Sequence, residues 1–237
     1  ITNLNADSVA WPGVGNTVTL DASGNANLAD AELDALNGNN GNWAGGSLTA
    51  QRSGMAITAD TFGFNTSGAL FTVSGSNLQS GGQTFATFAN TNGVLSINFT
   101  SSGTPATTAL VNDVAQRITY RNDTPAGDAA LRFTLSDGSL SNTADVTVAS
   151  DTIYVTNTTD TATINTSDGV SFSEAVALAA ADASGNQTLI FSNSFNSTMT
   201  MADNLVINES LTINGDSASG LNLSGSTITL GNGITLN

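Results

Sequence analysis

The 237-residue chain contains no cysteine, no histidine and no lysine, and each absence removes a class of chemistry. Without cysteine there is no disulfide and no thiolate nucleophile. Without histidine, Ser-His-Asp, Cys-His and imidazole–zinc sites are excluded. Without lysine there is neither a Schiff base nor a Lys–Asn isopeptide cross-link. Basic charge is confined to Arg52, Arg117, Arg121 and Arg132, which stand against 19 acidic residues for a net charge of −15. A field of that sign repels phosphate backbones and anionic lipid, which argues against nucleic-acid and membrane-surface partners. No apolar run approaches the ~18–20 residues of a transmembrane helix, so no membrane span is predicted. The chain begins at Ile1 with no basic segment leading into an apolar one. It therefore reads as an excerpt whose secretion signal lies elsewhere.

What is present is polar and uncharged. Only 10% of residues are charged, too few for the dense acidic coat of a halophile, and the rest of the polar surface is Ser, Thr, Asn and Gly. That composition suits exposed strands and turns. Alternation of apolar and polar residues predicts strands at Val18–Leu20, Leu95–Phe99, Leu131–Leu135 and Ala144–Val148. Asn92-Gly93, between Phe85–Ala89 and Val94–Phe99, predicts a tight hairpin, and Asp137-Gly138 predicts another close connection. One helix interrupts this region, with Thr104 as its cap, Pro105 in its first turn, and Leu110, Val111, Val114 and Ile118 near one face.

The pattern changes at Ser150-Asp151, beyond which there is no basic residue. Ser171-Phe172-Ser173-Glu174 has the form of a capping box and opens an alanine-rich helix through Ala183, closed by Gly185. That helix is apolar on nearly every side and is expected to be covered. The apolar pairs Leu189/Phe191, Leu205/Ile207, Leu211/Ile213, Leu221/Leu223, Ile228/Leu230 and Ile234/Leu236 follow. Short strands in such quick succession predict a solenoid of stacked coils, with an ordinary antiparallel sandwich as the competing fold. Ile234–Leu236 is still in strand rhythm, and an uncapped edge there predicts concentration-dependent, end-to-end association of copies.

Asp30-Ala31-Glu32, with Asp34, is the best chemical signal. Ca²⁺ takes about six to eight oxygen ligands, and alternate carboxylates in one loop supply several. Asp21, Asn37, Asn39, Asn40 and Asp60 are available to complete such a shell. The same residues read equally well as a cap, with Asp30 closing a short helix over 31–36 and Glu32 and Asp34 solvated near its positive end. Asp151, Asp160 and Asp168 offer a weaker candidate for an ion near the change of pattern. Trp11 and Trp43 are candidates for stacking on sugar rings, though an aromatic near a glycine-rich turn is commonly a core plug. Thr198/Thr200 and Thr227/Thr229 form Thr-x-Thr pairs, which any half-exposed strand favours.

Residues 17–149 resemble the cadherin-like repeats of giant type I-secreted bacterial adhesins. The matching segments are Ile1–Ser8, Val18–Ala22, Leu28–Glu32, Gly46–Thr49, Ile118–Tyr120 and Phe133–Gly138. The resemblance implies an antiparallel β-sandwich over 1–150, chained in tandem and often calcium-stabilised, and points to Asp30, Glu32, Asp60 and Asp137 as ligands. Residues 151–237 resemble the opening of right-handed parallel β-helices in bacterial surface proteins. Val170–Ala175 stands at the family's Cys-Ser-Leu-Arg-Glu-Ala-type motif, without its Cys and Arg, and Gln187–Phe191 and Leu211–Gly215 follow as strand and rung.

Together these readings predict an all-β protein, an antiparallel β-sandwich (cadherin/Ig-like) followed by the capped start of a parallel β-helix. The expected function is a non-enzymatic extracellular structural or adhesive segment, with Asp30, Glu32, Asp34, Asp60 and Asp137 as calcium candidates. Its expected partners are neighbouring copies or tandem domains of the same large protein, and surface carbohydrate. The other readings are a carbohydrate- or surface-binding module and part of a β-helical polysaccharide-degrading enzyme.

Overall fold

The computed structural model describes all residues except 162, 183–185, 193, 194, 196, 197, 203, 216, 217, 219–221 and 232–237. The protein is mostly β, and its contacts divide it into two compact units. The first comprises Ile1–Asp123 and Ala130–Val148; the second comprises Thr124–Ala129 and Ala149–Asn237.

In the first unit an eight-stranded sheet runs β1 (Asp7–Ala10), β11 (Ser141–Ala149), β10 (Ala129–Ser136), β3 (Ser47–Arg52), β8 (Val94–Phe99), β7 (Gln83–Thr91), β6 (Asn77–Ser80), β5 (Thr72–Ser74). Every pairing from β10 to β5 is antiparallel. A second, three-stranded antiparallel sheet runs β2 (Val18–Thr19), β9 (Ile118–Arg121), β4 (Thr61–Phe64). An aromatic contact joins the sheets, Phe64 of β4 meeting Phe88 of β7 edge-on, and within the smaller sheet Phe62 meets its strand partner Tyr120 edge-on. The β7–β8 hairpin turns at Asn92 and Gly93, both with positive φ, as a two-residue turn of matching twist requires.

Three short helices accompany these sheets. Helix α1 (Ala31–Asp34) is followed by the turn α2 (Leu36–Asn39), whose Asn37 and Gly38 are left-handed. Helix α3 (Thr108–Gln116) starts three residues later than the sequence predicts, because the Thr107 hydroxyl accepts from the Leu110 amide and serves as the cap. Ile118, expected on the helix face, begins β9 instead.

The second unit is built differently. Strand β12 (Thr152–Val155) pairs in parallel with β13 (Thr188–Phe191), and β13 pairs in parallel with β16 (Thr212–Asn214). Strand β14 (Thr198–Thr200) pairs in parallel with β17 (Asn222–Ser224), and β15 (Leu205–Ile207) with β18 (Ile228–Leu230). Like residues stack: Leu189 on Ile213, Met199 on Leu223, Ile207 on Leu230. Helix α4 (Phe172–Ala181) packs on β12 and β15 and buries Phe172, Ala175, Val176 and Ala179, while Ala180 and Ala181 at its far end are exposed. No antiparallel hairpin joins the described strands of 204–231. Gly185, Leu221 and the predicted edge at Ile234–Leu236 lie outside the described residues.

Candidate functional site

The predicted calcium ligands sit in three places. Asp30 is the N-cap of α1, its Oδ1 accepting from the amides of Glu32 at 3.1 Å and Leu33 at 2.8 Å. Glu32 is exposed in the first turn. Asp34 is not merely solvated: Oδ2 accepts from the Asp30 amide, and Oδ1 accepts from the Trp43 indole and the Thr108 hydroxyl. It ties the helical turn to the start of α3. Asp137 closes the turn between β10 and β11, accepting from the amides of Ser139 and Leu140. Those amides, Leu140 first, hold its carboxyl below the usual carboxylate range.

Asp30 and Asp137 share a cleft of about 280 Å³, lined also by Leu135, Leu140 and Asn142. Asp60 is bound up elsewhere. Its buried carboxylate accepts Arg52 Nε and Nη2 at 2.9 and 2.8 Å, the Tyr120 hydroxyl at 2.6 Å and the Asn122 amide at 2.8 Å. Three of these donors crowd Oδ1, and the guanidinium already supplies the positive charge that a cation would bring. Asp60 thus lies outside the lining of the Asp30–Asp137 cleft, and among the described residues no group of three or more acidic side chains is arranged to hold a metal. The geometry of Asp30 supports the capping reading.

Asp137 does not have the environment of a catalytic acid. A glycosidase acid needs a carboxyl whose proton is held more tightly than usual, and the amides around Asp137 act in the opposite sense. Trp43 is 0% exposed and packs edge-on against Phe99, so it is a core plug and offers no face to a sugar. Trp11 is half-buried, with its indole N–H committed to the Asn122 carbonyl at 2.9 Å.

Sequence reasoning missed the Arg52–Asp60–Tyr120–Asn122 cluster as a unit. Local sequence offered no signal for it, since Arg132 in an equally alternating strand pairs with the half-exposed Asp145. A second cluster stands under α4. Ser171 and Glu174 form the predicted capping box, and Glu174 also accepts from the Asn165 amide at 2.6 Å. Asp160 accepts from the Ser173 amide at 2.9 Å, the Ser173 hydroxyl at 2.7 Å and the Ala202 amide at 2.9 Å. It thus joins the first turn of α4 to the segment between β14 and β15. No helix among the described residues is long and apolar enough to cross a membrane. No family model matches the chain, and no curated protein and no solved structure matches it.

Proposed function

We propose that the chain is a non-enzymatic extracellular structural and adhesive segment of a large bacterial surface protein, a spacer or a component of a surface layer or filament. In this reading residues 1–150 are a cadherin-like β-sandwich and residues 151–237 are the capped opening of a parallel β-helix. One observation carries it. Beyond the β12–β13 pair, whose longer offset of 36 residues holds α4, the parallel pairs recur at a nearly constant offset, 24 residues from Thr188 to Thr212, 24 from Thr198 to Asn222 and 23 from Leu205 to Ile228. A common offset across three separate sheets is what successive coils of one solenoid produce, each burying the apolar face of the one before it. The capped, largely buried α4 supports the same reading, because a solenoid core needs a cover at its first coil.

The rung geometry is tested by an engineered cross-link, unambiguous in a chain without cysteine. Thr198→Cys with Asn222→Cys places two thiols on directly paired residues, within the ~4.4–6.8 Å Cα spacing that a disulfide tolerates. Oxidation should cross-link the pair nearly completely, whereas Thr198→Cys with Thr212→Cys should remain reduced. The reverse result would remove the stacked-coil reading. Antibody labelling of intact producing cells tests the location; signal only after lysis would overturn it.

A further inference from the structure

A second concavity in the first unit, a groove of about 560 Å³, has no part in the features described so far. Its floor is a row across the three-stranded sheet, where Thr19, Thr119 and Gly63 stand opposite one another in register. Its wall is the segment Asn65–Ser67 that follows β4, with Thr17 at the rim and Phe64 as the single aromatic in the lining. We propose that this groove binds a neutral saccharide, a function beyond the structural one and independent of it.

The hydroxyls argue for a ligand of that chemistry. Among the described residues, the side chains of Thr17, Thr19, Thr66, Ser67 and Thr119 make no hydrogen bond. Thr119 is the informative one. It is only 8% exposed, yet its hydroxyl opens to the groove, so its hydrogen-bond partner comes from whatever fills that space. Gly63 leaves the space beside it: a Cβ at Gly63 would stand 3.1 Å from Thr119 Oγ1. The backbone of Gly63 is not left-handed, so conformation does not demand a glycine there, and what its missing side chain preserves is room.

The wall is held in place before any ligand arrives. Arg117 donates to the carbonyls of Ser67 at 2.6 Å and Gly68 at 3.0 Å, and Asp113 accepts from the Leu70 amide at 2.7 Å. Asn65 closes the turn by accepting from the Ser67 amide at 3.1 Å. A loop fixed in this way loses little entropy on binding. The lining is rich in hydroxyls that both donate and accept and has no ionisable group, which matches the hydroxyls of a sugar. The net charge of −15 disfavours uronic or sulfated sugars.

The test is an NMR titration of the full chain with three probes: neutral trisaccharides of glucose and of N-acetylglucosamine, and trigalacturonate as the charged control. At least one neutral probe should produce saturable shifts at the amides of Gly63, Thr66, Ser67 and Thr119, and trigalacturonate should not. Thr119→Val removes the unpartnered hydroxyl and should weaken binding about tenfold, with a melting temperature at or above that of the parent. Gly63→Ala, which fills the floor, should weaken binding similarly and serves if Thr119→Val folds poorly. The proposal is overturned by an absence of saturable shifts with both neutral probes, by shifts mapping elsewhere, or by unchanged affinity in the variants. None of these outcomes bears on the cross-link test of the coils.

Discussion

Arg52 and Asp60 meet in a two-pronged ion pair, with the guanidinium nearly buried and the carboxylate wholly shielded from solvent. A shielded pair of this kind is costly to break from one side, because the survivor is a buried charge without a counter-ion. Asp60→Ala should cost about 3–5 kcal/mol. Arg52→Met with Asp60→Leu together should cost less than Asp60→Ala alone. Urea unfolding followed by tryptophan emission reports this unit, since Trp11 and Trp43 both lie in it. A loss under about 1 kcal/mol for Asp60→Ala would place the pair in the weak class of surface bridges.

The phenol of Tyr120 in the same cluster should resist ionisation. Burial pushes its pKa far above the ordinary tyrosine value, and the opposing pull of Arg52 does not cancel that effect. The folded state therefore keeps its proton at a pH where the unfolded state loses it. This contribution to stability is complete below about pH 10 and declines as pH rises above that. In a Tyr120→Phe variant the alkaline decline should be shallower. Equal slopes in denaturation midpoints between about pH 9 and 11.5 would contradict the burial argument.

Asp160 should anchor α4 more strongly than either capping residue. Asp160→Ala leaves two amides and a hydroxyl without their acceptor and should cost about 3 kcal/mol. Ser171→Ala should cost about 1 kcal/mol. Hydrogen exchange at the amides of Val176 and Ala179 distinguishes the two, with the larger loss of protection expected for Asp160→Ala.

Thermal melts in excess calcium and in chelator should agree within about 1 °C. Binding of one ion to the folded state alone would add about 2.7 kcal/mol at a hundredfold excess over Kd and raise the melting temperature by several degrees. Asp30→Ala should cost about 1 kcal/mol through loss of the cap, equally in both buffers. A calcium-dependent rise abolished by Asp30→Ala would restore Asp30 as a ligand.

Local features were legible in the sequence, and partners brought together from a distance were not. The turn at Asn92-Gly93, the strands of 131–135 and 144–148, and the box of Ser171 and Glu174 are decided within a few residues, and the structure has them where the pattern places them. The cap of α3 lies at Thr107 rather than Thr104, a choice between neighbouring threonines that composition cannot make. Asp34 reads in sequence as either a calcium ligand or a solvated acid, because its partner Thr108 is 74 residues away. Asp60 looked like a ligand because Tyr120, 60 residues on, and Arg52 carry no mark of their destination. Nor does local sequence reveal that Thr124–Ala129 groups with the second unit, where Gly127 donates to the Thr152 carbonyl and Tyr154 to that of Pro125.

The stacked residues Ile207 and Leu230 differ in exposure, 0% against 43%, although they are direct partners in the parallel pair of β15 and β18. In the proposed solenoid each coil would be sealed by the coil that follows it, so resistance to pulling would be distributed along the chain. Under tension applied from the C-terminal side, the coils should peel in sequence, each 24-residue turn releasing about 80 Å of extended chain before the next yields. On the proposed architecture the segment would dissipate load in small instalments, with the α4-capped end the last to give way.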